Sequence, residues 1–414
     1  MKKLVLLLVI LSLVAFFGFA EGQKEEAAEE EAAAAEDVVK IGLVSPKSGN
    51  YADQGAQERA GMHMAVKDFN GTVAGKKIEV IEVDSETNPD VAARRAKRLI
   101  QAEGVKFLMG GVSSSVAISV GAVCQEGGAL FIASNENSDV ITGEKARPNV
   151  FRTGFSMAFA VRAPAQWVAD NLGKKWHFIT HDYSWGWSGT RWARNMIPEV
   201  GAEELGEVKV PLGTRDFSSY LMKVANSDAD VAVITVGGVD GIALYRQLTE
   251  FGIFDKMDVW WTSIDYADAY ALEPEQRGRH GNSETYYKFT PEMQAFSDRY
   301  AEEYPNLNVR VADNNTHHGW LSMTALLRGM DKAGSTDVSD VKNAMEGMTI
   351  EDNKLPDPTY IRPWDHQMLD TFFFGQDKKR PNPDFFDVIF SGKEADYARS
   401  QEENPVSLDE TPFP

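Results

Sequence analysis

Residues 38–46 read VVKIGLVSP, a short β-branched and apolar run that stops at a Ser-Pro step. Such a run predicts a strand with most of its side chains buried. The next forty residues decide how that strand is used. Asp53 to Phe69 places Ala60, Gly61, Met64, Ala65 and Phe69 on one helical stripe, and KIEVIEVD at 77–84 is again a strand. Strand, amphipathic helix and strand in this order make a βαβ unit, and therefore a parallel sheet.

The alternation continues along the chain. Asn88-Pro89-Asp90 opens a helix to about Gln101, with proline in its first turn. VKFLMGG, a helix over about Val116 to Cys124, and ALFIAS come next. The pattern then restarts. NVFRTGF is strand-like and is succeeded by a helix over about Ala158 to Asp170, the strand KKWHFITHD, a helix from about Gly189 to Met196, and EVKVPL. A helix over Phe217 to Ala225, DVAVITVGG, a helix over Gly241 to Phe251, and MDVWWTSID complete a second α/β half. Beyond Thr290 the chain reads as helix-rich, with Pro291 to Glu303, Gly319 to Lys332 and Val338 to Met345, and then as loop-rich from 350 to 414. The fold class is α/β, with two lobes built on parallel sheets, because a chain of this length exceeds what one core serves.

Open parallel sheets hold ligands beyond the carboxyl ends of their strands. That rule selects the loops Ser45–Gln54, Gly110–Ser115, Ser134–Ser138, His181–Gly189, Gly237–Asp240 and Thr262–Tyr266 without reference to any motif. They are rich in hydroxyl, amide and aromatic side chains, which suits a polar small molecule.

The 414 residues carry a formal charge of −20. An acidic surface argues against nucleic acid and anionic membrane as partners. Met1-Lys2-Lys3, an uncharged and mainly apolar run to Ala20, and small residues at Gly18 and Ala20 predict a secretory signal peptide over residues 1–20. Residues 21–37 hold eight acids and one lysine with no aromatic or β-branched residue, the composition of a solvated, disordered tether. The single cysteine, Cys124, lies far from the cleavage site, so no lipid anchor is expected, and it cannot form an internal disulfide. The expected location is extracytoplasmic, in the periplasm.

Catalytic signatures are missing. GTVAGKK at 71–77 is one residue short of a phosphate loop and lacks the hydroxyl after the lysine. No GxGxxG opens a helix, and GGVSSS and GWSG lack the second glycine of GxSxG. His317-His318 beside Asp313 lacks metalloenzyme spacing, and adjacent histidines on a helix point to different faces. No catalytic residue, metal or cofactor is expected, and the chain reads as a binder and not an enzyme. A secreted α/β amidase stays open as the alternative of a different class.

Five segments carry a resemblance. KIGLVSPKSGNYADQGAQERAGMHMAV, GGVSSSVAISVGAVCQEGGALFIAS, THDYSWGWSG, GGVDGIALYRQLTEFGI and IRPWDHQ, in this order, resemble periplasmic solute-binding proteins of type I fold. The likeness is to the branched-chain amino acid (Leu/Ile/Val-binding-like) receptors of ABC importers. It implies two Rossmann-like lobes joined by three crossover hinge strands, a Venus-flytrap that closes on its ligand. The lobes would hold 38–154 plus 288–360 and 155–287 plus 361–414. The implied partners are a small-molecule ligand, an amino acid or a relative of one, and ABC permease subunits in the membrane, the receptor itself being a monomer. A small amide or urea, an aromatic carboxylate, or a ligand-sensing role stay open beside it.

By that resemblance a ligand carboxylate would meet Ser113 or Ser114 at a helix start and the loop carrying Asn135 and Asn137, where the family tends to show alanine and threonine. Its ammonium would meet Asp240 or Asp265, with Tyr266 adjacent and Gly238 in the neighbouring loop. Gln54 would stand near an aromatic contact of the family. Trp185, with Tyr183 before it, would cover apolar ligand atoms, and Gly186 would allow a tight turn. Trp187 and Trp192 read as packing between elements.

Overall fold

The structure is a computed structural model and describes residues 38–283 and 285–408. The expected signal peptide and acidic tether lie outside the described residues. β1 (Val38–Ser45), α1 (Ala52–Asp68), β2 (Thr72–Val73), β3 (Lys76–Asp84), α2 (Pro89–Glu103), β4 (Phe107–Met109), α3 (Ser114–Glu126), β5 (Leu130–Ala133) and β6 (Val150–Arg152) make the first α/β half. Its sheet runs β2-β3-β1-β4-β5-β6 and is parallel except for the β2–β3 hairpin. α2 starts where the sequence predicts it, because the Asn88 side chain accepts from the backbone N–H groups of Asp90 and Val91 and Pro89 occupies the first turn.

The second half holds α4 (Met157–Asn171), β7 (Lys175–His181), α5 (Ser184–Val200), β8 (Glu203–Val210), α6 (Ser218–Ala225), β9 (Val231–Thr235), α7 (Gly238–Glu250), β10 (Asp258–Trp261), α8 (Tyr266–Tyr270) and β11 (His280–Ser283). The chain then returns to the first core through α9 (Pro291–Glu303), α10 (Asn314–Ala333) and α11 (Val338–Met345), whose buried residues Met293, Leu321, Leu326, Met330 and Val341 pack with Ile41 and Met64. α10 crosses α1 at two glycines. A Cβ on Gly61 would sit 1.9 Å from the Thr316 carbonyl oxygen, and one on Gly319 would sit 2.2 Å from that of Glu58. Only glycine permits that approach.

The reading of 350–414 as loop-rich is corrected. β12 (Thr349–Ile350), β13 (Thr359–Ile361) and β14 (Met368–Leu369) form a small antiparallel sheet. β15 (Thr371–Asp377) and β16 (Phe386–Lys393) add two antiparallel strands to the second sheet, ordered β16-β15-β11-β10-β9-β7-β8. β15 is buried on both faces and shows no polar alternation, while β16 is an exposed edge; neither gives the period-2 signal of a half-buried strand. Each large sheet is covered by helices on both faces, with separate buried clusters on its two sides. Among the described residues no helix is long and apolar enough to cross a membrane.

Candidate functional site

A cavity of about 460 Å³, counted with its open mouth, lies between the carboxyl ends of the two parallel sheets. Tyr51, Val112, Asn135 and Asn137 line it from the first lobe, together with Asn314 and Asn315 from the first turn of α10. Tyr183, Trp185, Gly237, Gly238, Ser263, Asp265 and Asp268 line it from the second.

Local structure explains these placements. β7 ends at His181 and α5 begins at Ser184, so THDYSWGWSG is a strand end running into a helix and not a loop before one. Tyr183 and Trp185 sit at that junction and face the cavity. A Cβ on Gly186 would fall 2.0 Å from the His181 carbonyl oxygen, which is why the turn carries glycine. Trp192 packs as expected, with the Arg162 guanidinium 4.5 Å from its ring centroid. Trp187 does not: it is 51% exposed and its Nε1 donates to Asp182 at 2.9 Å. On the opposite wall Val112 adopts φ +57°, a strained conformation for a β-branched residue, beside the start of α3.

The cavity is acidic. Asp265 accepts from Ala267 N–H at 2.9 Å and from Asn315 Nδ2 at 3.1 and 3.2 Å. Asp268 accepts from Gln54 Nε2 at 2.9 Å and from Gly238 N–H at 3.2 Å. Behind them Asp313 caps α10 and accepts from Asn315 Nδ2 at 3.1 Å. Burial pushes Asp265 up, burial and the neighbouring Asp265 push Asp268 well up, and the same two causes push Asp313 up to about 7. The buried Arg279 bonds Asp377 through Nε at 2.9 Å, and its charge acts on Asp265 and Asp268 against the effect of burial. No lysine, arginine or histidine lines the cavity among the described residues. Three buried lining atoms lack a hydrogen-bond partner: the donor Trp185 Nε1 and the acceptors Asn137 Oδ1 and Asn314 Oδ1. Tyr51 and Tyr183 join hydroxyl to hydroxyl at 2.6 Å across the cleft, and burial raises the pKa of both.

Of the residues singled out in the sequence, Asn135, Asn137, Tyr183, Trp185, Gly238 and Asp265 are brought together here. Gln54 stands behind the wall and orients Asp268. Ser113 precedes α3 without making a side-chain cap bond, and Ser114 Oγ accepts from Ser138 N–H at 3.2 Å; neither lines the cavity. Asp240 points away, buried against His181 Nε2 at 3.0 Å, Gly213 N–H at 2.6 Å and Arg215. Tyr266 lies in an aromatic cluster with Tyr286, Tyr287 and Phe385. Tyr51, Val112, Gly237 and Ser263 belong to loops that the strand-end rule selects. Asp268, Asn314 and Asn315 do not: the first lies inside a helix and the other two begin one that no strand precedes. The Asp-Asn-Asn capping run at 313–315 was the available signal.

The two walls also bind each other directly. Asn50 Nδ2 donates to the Gly237 carbonyl at 3.0 Å, Asn50 Oδ1 accepts from Asp240 N–H at 3.1 Å, and the Asn50 carbonyl accepts from Val239 N–H at 3.1 Å. Gly238 takes φ +67° to allow it. Ser138 and Ser184 meet hydroxyl to hydroxyl at 2.9 Å.

Comparison with known proteins matches residues 38–381 to the family model described as periplasmic binding protein. The Leu/Ile/Val-binding protein homolog 7 of Brucella suis biovar 1 (strain 1330) is 26% identical over 339 residues, covering 76% of this chain and 82% of that one. A periplasmic binding protein from Burkholderia mallei superposes with a TM-score of 0.84 at 27% identity, over 90% of this chain and 100% of that one. The solute binding protein of an ABC transporter from R. palustris, solved with benzoate, gives 0.76 at 21% identity, over 86% and 96%, a likeness of fold alone.

Proposed function

The chain belongs to the periplasmic binding protein family, and from that premise we propose that it is the receptor of an ABC importer for a small ligand bearing an ammonium group, an amino acid or close relative. The observation that carries this is the composition of the cavity: two carboxylates, two unpartnered amide oxygens and no cationic side chain among its described lining. A ligand that satisfies such a wall must supply N–H donors and positive charge. Asp265 and Asp268 would take the ammonium, and Trp185 would cover the side chain. A ligand carboxylate would lie toward Val112 and the Asn135–Asn137 turn, near the amides that start α3.

The two lobes, 38–154 plus 288–360 and 155–287 plus 361–414, would pivot on the three passages between them. The bonds from Asn50 to 237–240 would then hold the closed state that a permease reads. The chain performs no bond chemistry in this reading and acts outside the cytoplasmic membrane.

The name of the Brucella relative, Leu/Ile/Val-binding, agrees with an amino acid. Benzoate, held by the R. palustris protein, would place a bare carboxylate against two acids. The test is mass spectrometry of whatever the purified protein releases on denaturation, then thermal-shift and calorimetric titration with amino acids, small amides and benzoate. Amine-bearing compounds are expected to bind at one site; a response to benzoate or neutral amides alone would overturn the ammonium assignment.

A further inference from the structure

Outside the cleft, the first two turns of α10 and the passage from β14 to β15 bring His317, His318 and Asp370 together. All three are buried, and one ligating atom from each lies within 4.8 Å of the others. We propose that this cluster is a site for one divalent transition cation of the zinc class.

The local chemistry is that of a metal ligand set. His317 Nε2 lies 2.7 Å from the Asn353 carbonyl oxygen, which can only accept, so Nε2 carries the proton and Nδ1 holds the lone pair. An imidazole oriented by a backbone carbonyl is the usual support of a ligating histidine. The Thr285 hydroxyl lies 3.1 Å from Nδ1, and a cation there would take its place.

Asp370 supplies the charge. Its Oδ1 accepts from Thr371 N–H at 2.8 Å and Thr359 Oγ1 at 3.2 Å, while the buried Oδ2 has no hydrogen-bond partner. A carboxylate 7% exposed with one orphaned oxygen is costly unless a cation or a proton meets it. Two imidazoles and one carboxylate leave a fourth position open and suit zinc, cobalt or nickel over calcium or magnesium. Metal–nitrogen distances of about 2.1 Å require ligand atoms roughly 3.4 Å apart, so side-chain shifts of about 1 Å complete the site. The histidines being adjacent in sequence does not prevent this, since their ring centroids stand only 5.9 Å apart. The same helix presents Asn314 and Asn315 to the cavity, so an ion here would fix the ligand wall to the passage from β14 to β15.

The test uses the full chain stripped with chelator and titrated with Co²⁺, read by visible d–d absorption, with Zn²⁺ as competitor. One equivalent of Co²⁺ should give intense low-symmetry bands that Zn²⁺ abolishes. Asp370→Asn and His318→Gln should each weaken Zn²⁺ binding at least tenfold, while His63→Ala, which removes the part-exposed imidazole paired with Glu82, should leave it unchanged. Far-UV circular dichroism identifies a variant that has not folded, and the other variant then decides. Bands of hexaaquo cobalt only, or Zn²⁺ affinity unaltered in a folded Asp370→Asn or His318→Gln protein, would overturn the site.

Discussion

The two walls of the cleft are built from different chemistry. The first-lobe wall is neutral: the Tyr51 ring, a strained valine and the side chains of Asn135, Asn137, Asn314 and Asn315. The second-lobe wall carries the rings of Tyr183 and Trp185 and the carboxylates of Asp265 and Asp268. Neutral dipoles serve a ligand anion without a buried counter-charge, whereas buried acids bonded only to neutral donors favour a cation. A ligand with both ends would therefore be read in a fixed direction, and recognition of its charge would reside in the second lobe.

The largest expected effect comes from making the second wall as neutral as the first. Asp265→Asn keeps the hydrogen bond that starts α8 but removes the charge, and it should weaken an ammonium ligand about 100-fold, ~2.8 kcal/mol, by isothermal titration. A change below about threefold would break the asymmetry. Trp185→Ala should cost about tenfold, ~1.4 kcal/mol. Trp185→Phe separates the ring from the orphaned N–H, and full affinity in the phenylalanine variant would assign the loss to packing alone.

Acidity sharpens the same comparison. Asp313, raised to about 7, and the raised Asp265 and Asp268 take up protons as pH falls, and a protonated carboxyl no longer attracts an ammonium. Affinity is therefore present above these raised values and is lost as pH falls through them. Between about pH 7.5 and 5.5 the association constant should drop about fivefold. His181, pushed down to about 3 by burial, does not titrate in that window, and a flat profile would mean the acids carry no charge in the complex. The smallest effect is expected where the walls touch without ligand. Asn50→Ala removes two side-chain bonds to 237–240 and should lower affinity about threefold, with a larger radius of gyration for the unliganded protein by X-ray scattering. Unchanged scattering and affinity would show that Asn50 does not hold the lobes together.

Much of the molecule was legible from periodicity. The βαβ rhythm from Val38, the capped start of α2 and the strand-end loops identified the fold class and most of the cavity wall, because strands buried under helices on both faces leave continuous apolar runs. Gln54 was found as a polar residue at the cleft, although its role is to hold Asp268. Asp240 and Asp265 looked alike in sequence, each an acid just after a strand. Packing separated them: His181, Arg215 and the Gly213 amide draw Asp240 beneath the surface, while α8 turns Asp265 toward the cavity.

By itself, then, the sequence determined the alternating architecture, the family resemblance and the loops from which a site could be made, since those arise from local pattern. Tertiary structure alone decided which residues meet. α10 reaches the cavity because Gly61 and Gly319 let two helices cross in contact, and that crossing delivers Asn314 and Asn315 to a wall whose other first-lobe residues lie far earlier in the chain. The edge strands β15 and β16, and the meeting of Asp370 with His317 and His318, depend on the same long-range return of the chain. Contacts of that separation leave no periodic trace in sequence, because what joins them is the closing of the core and not the geometry of any one element.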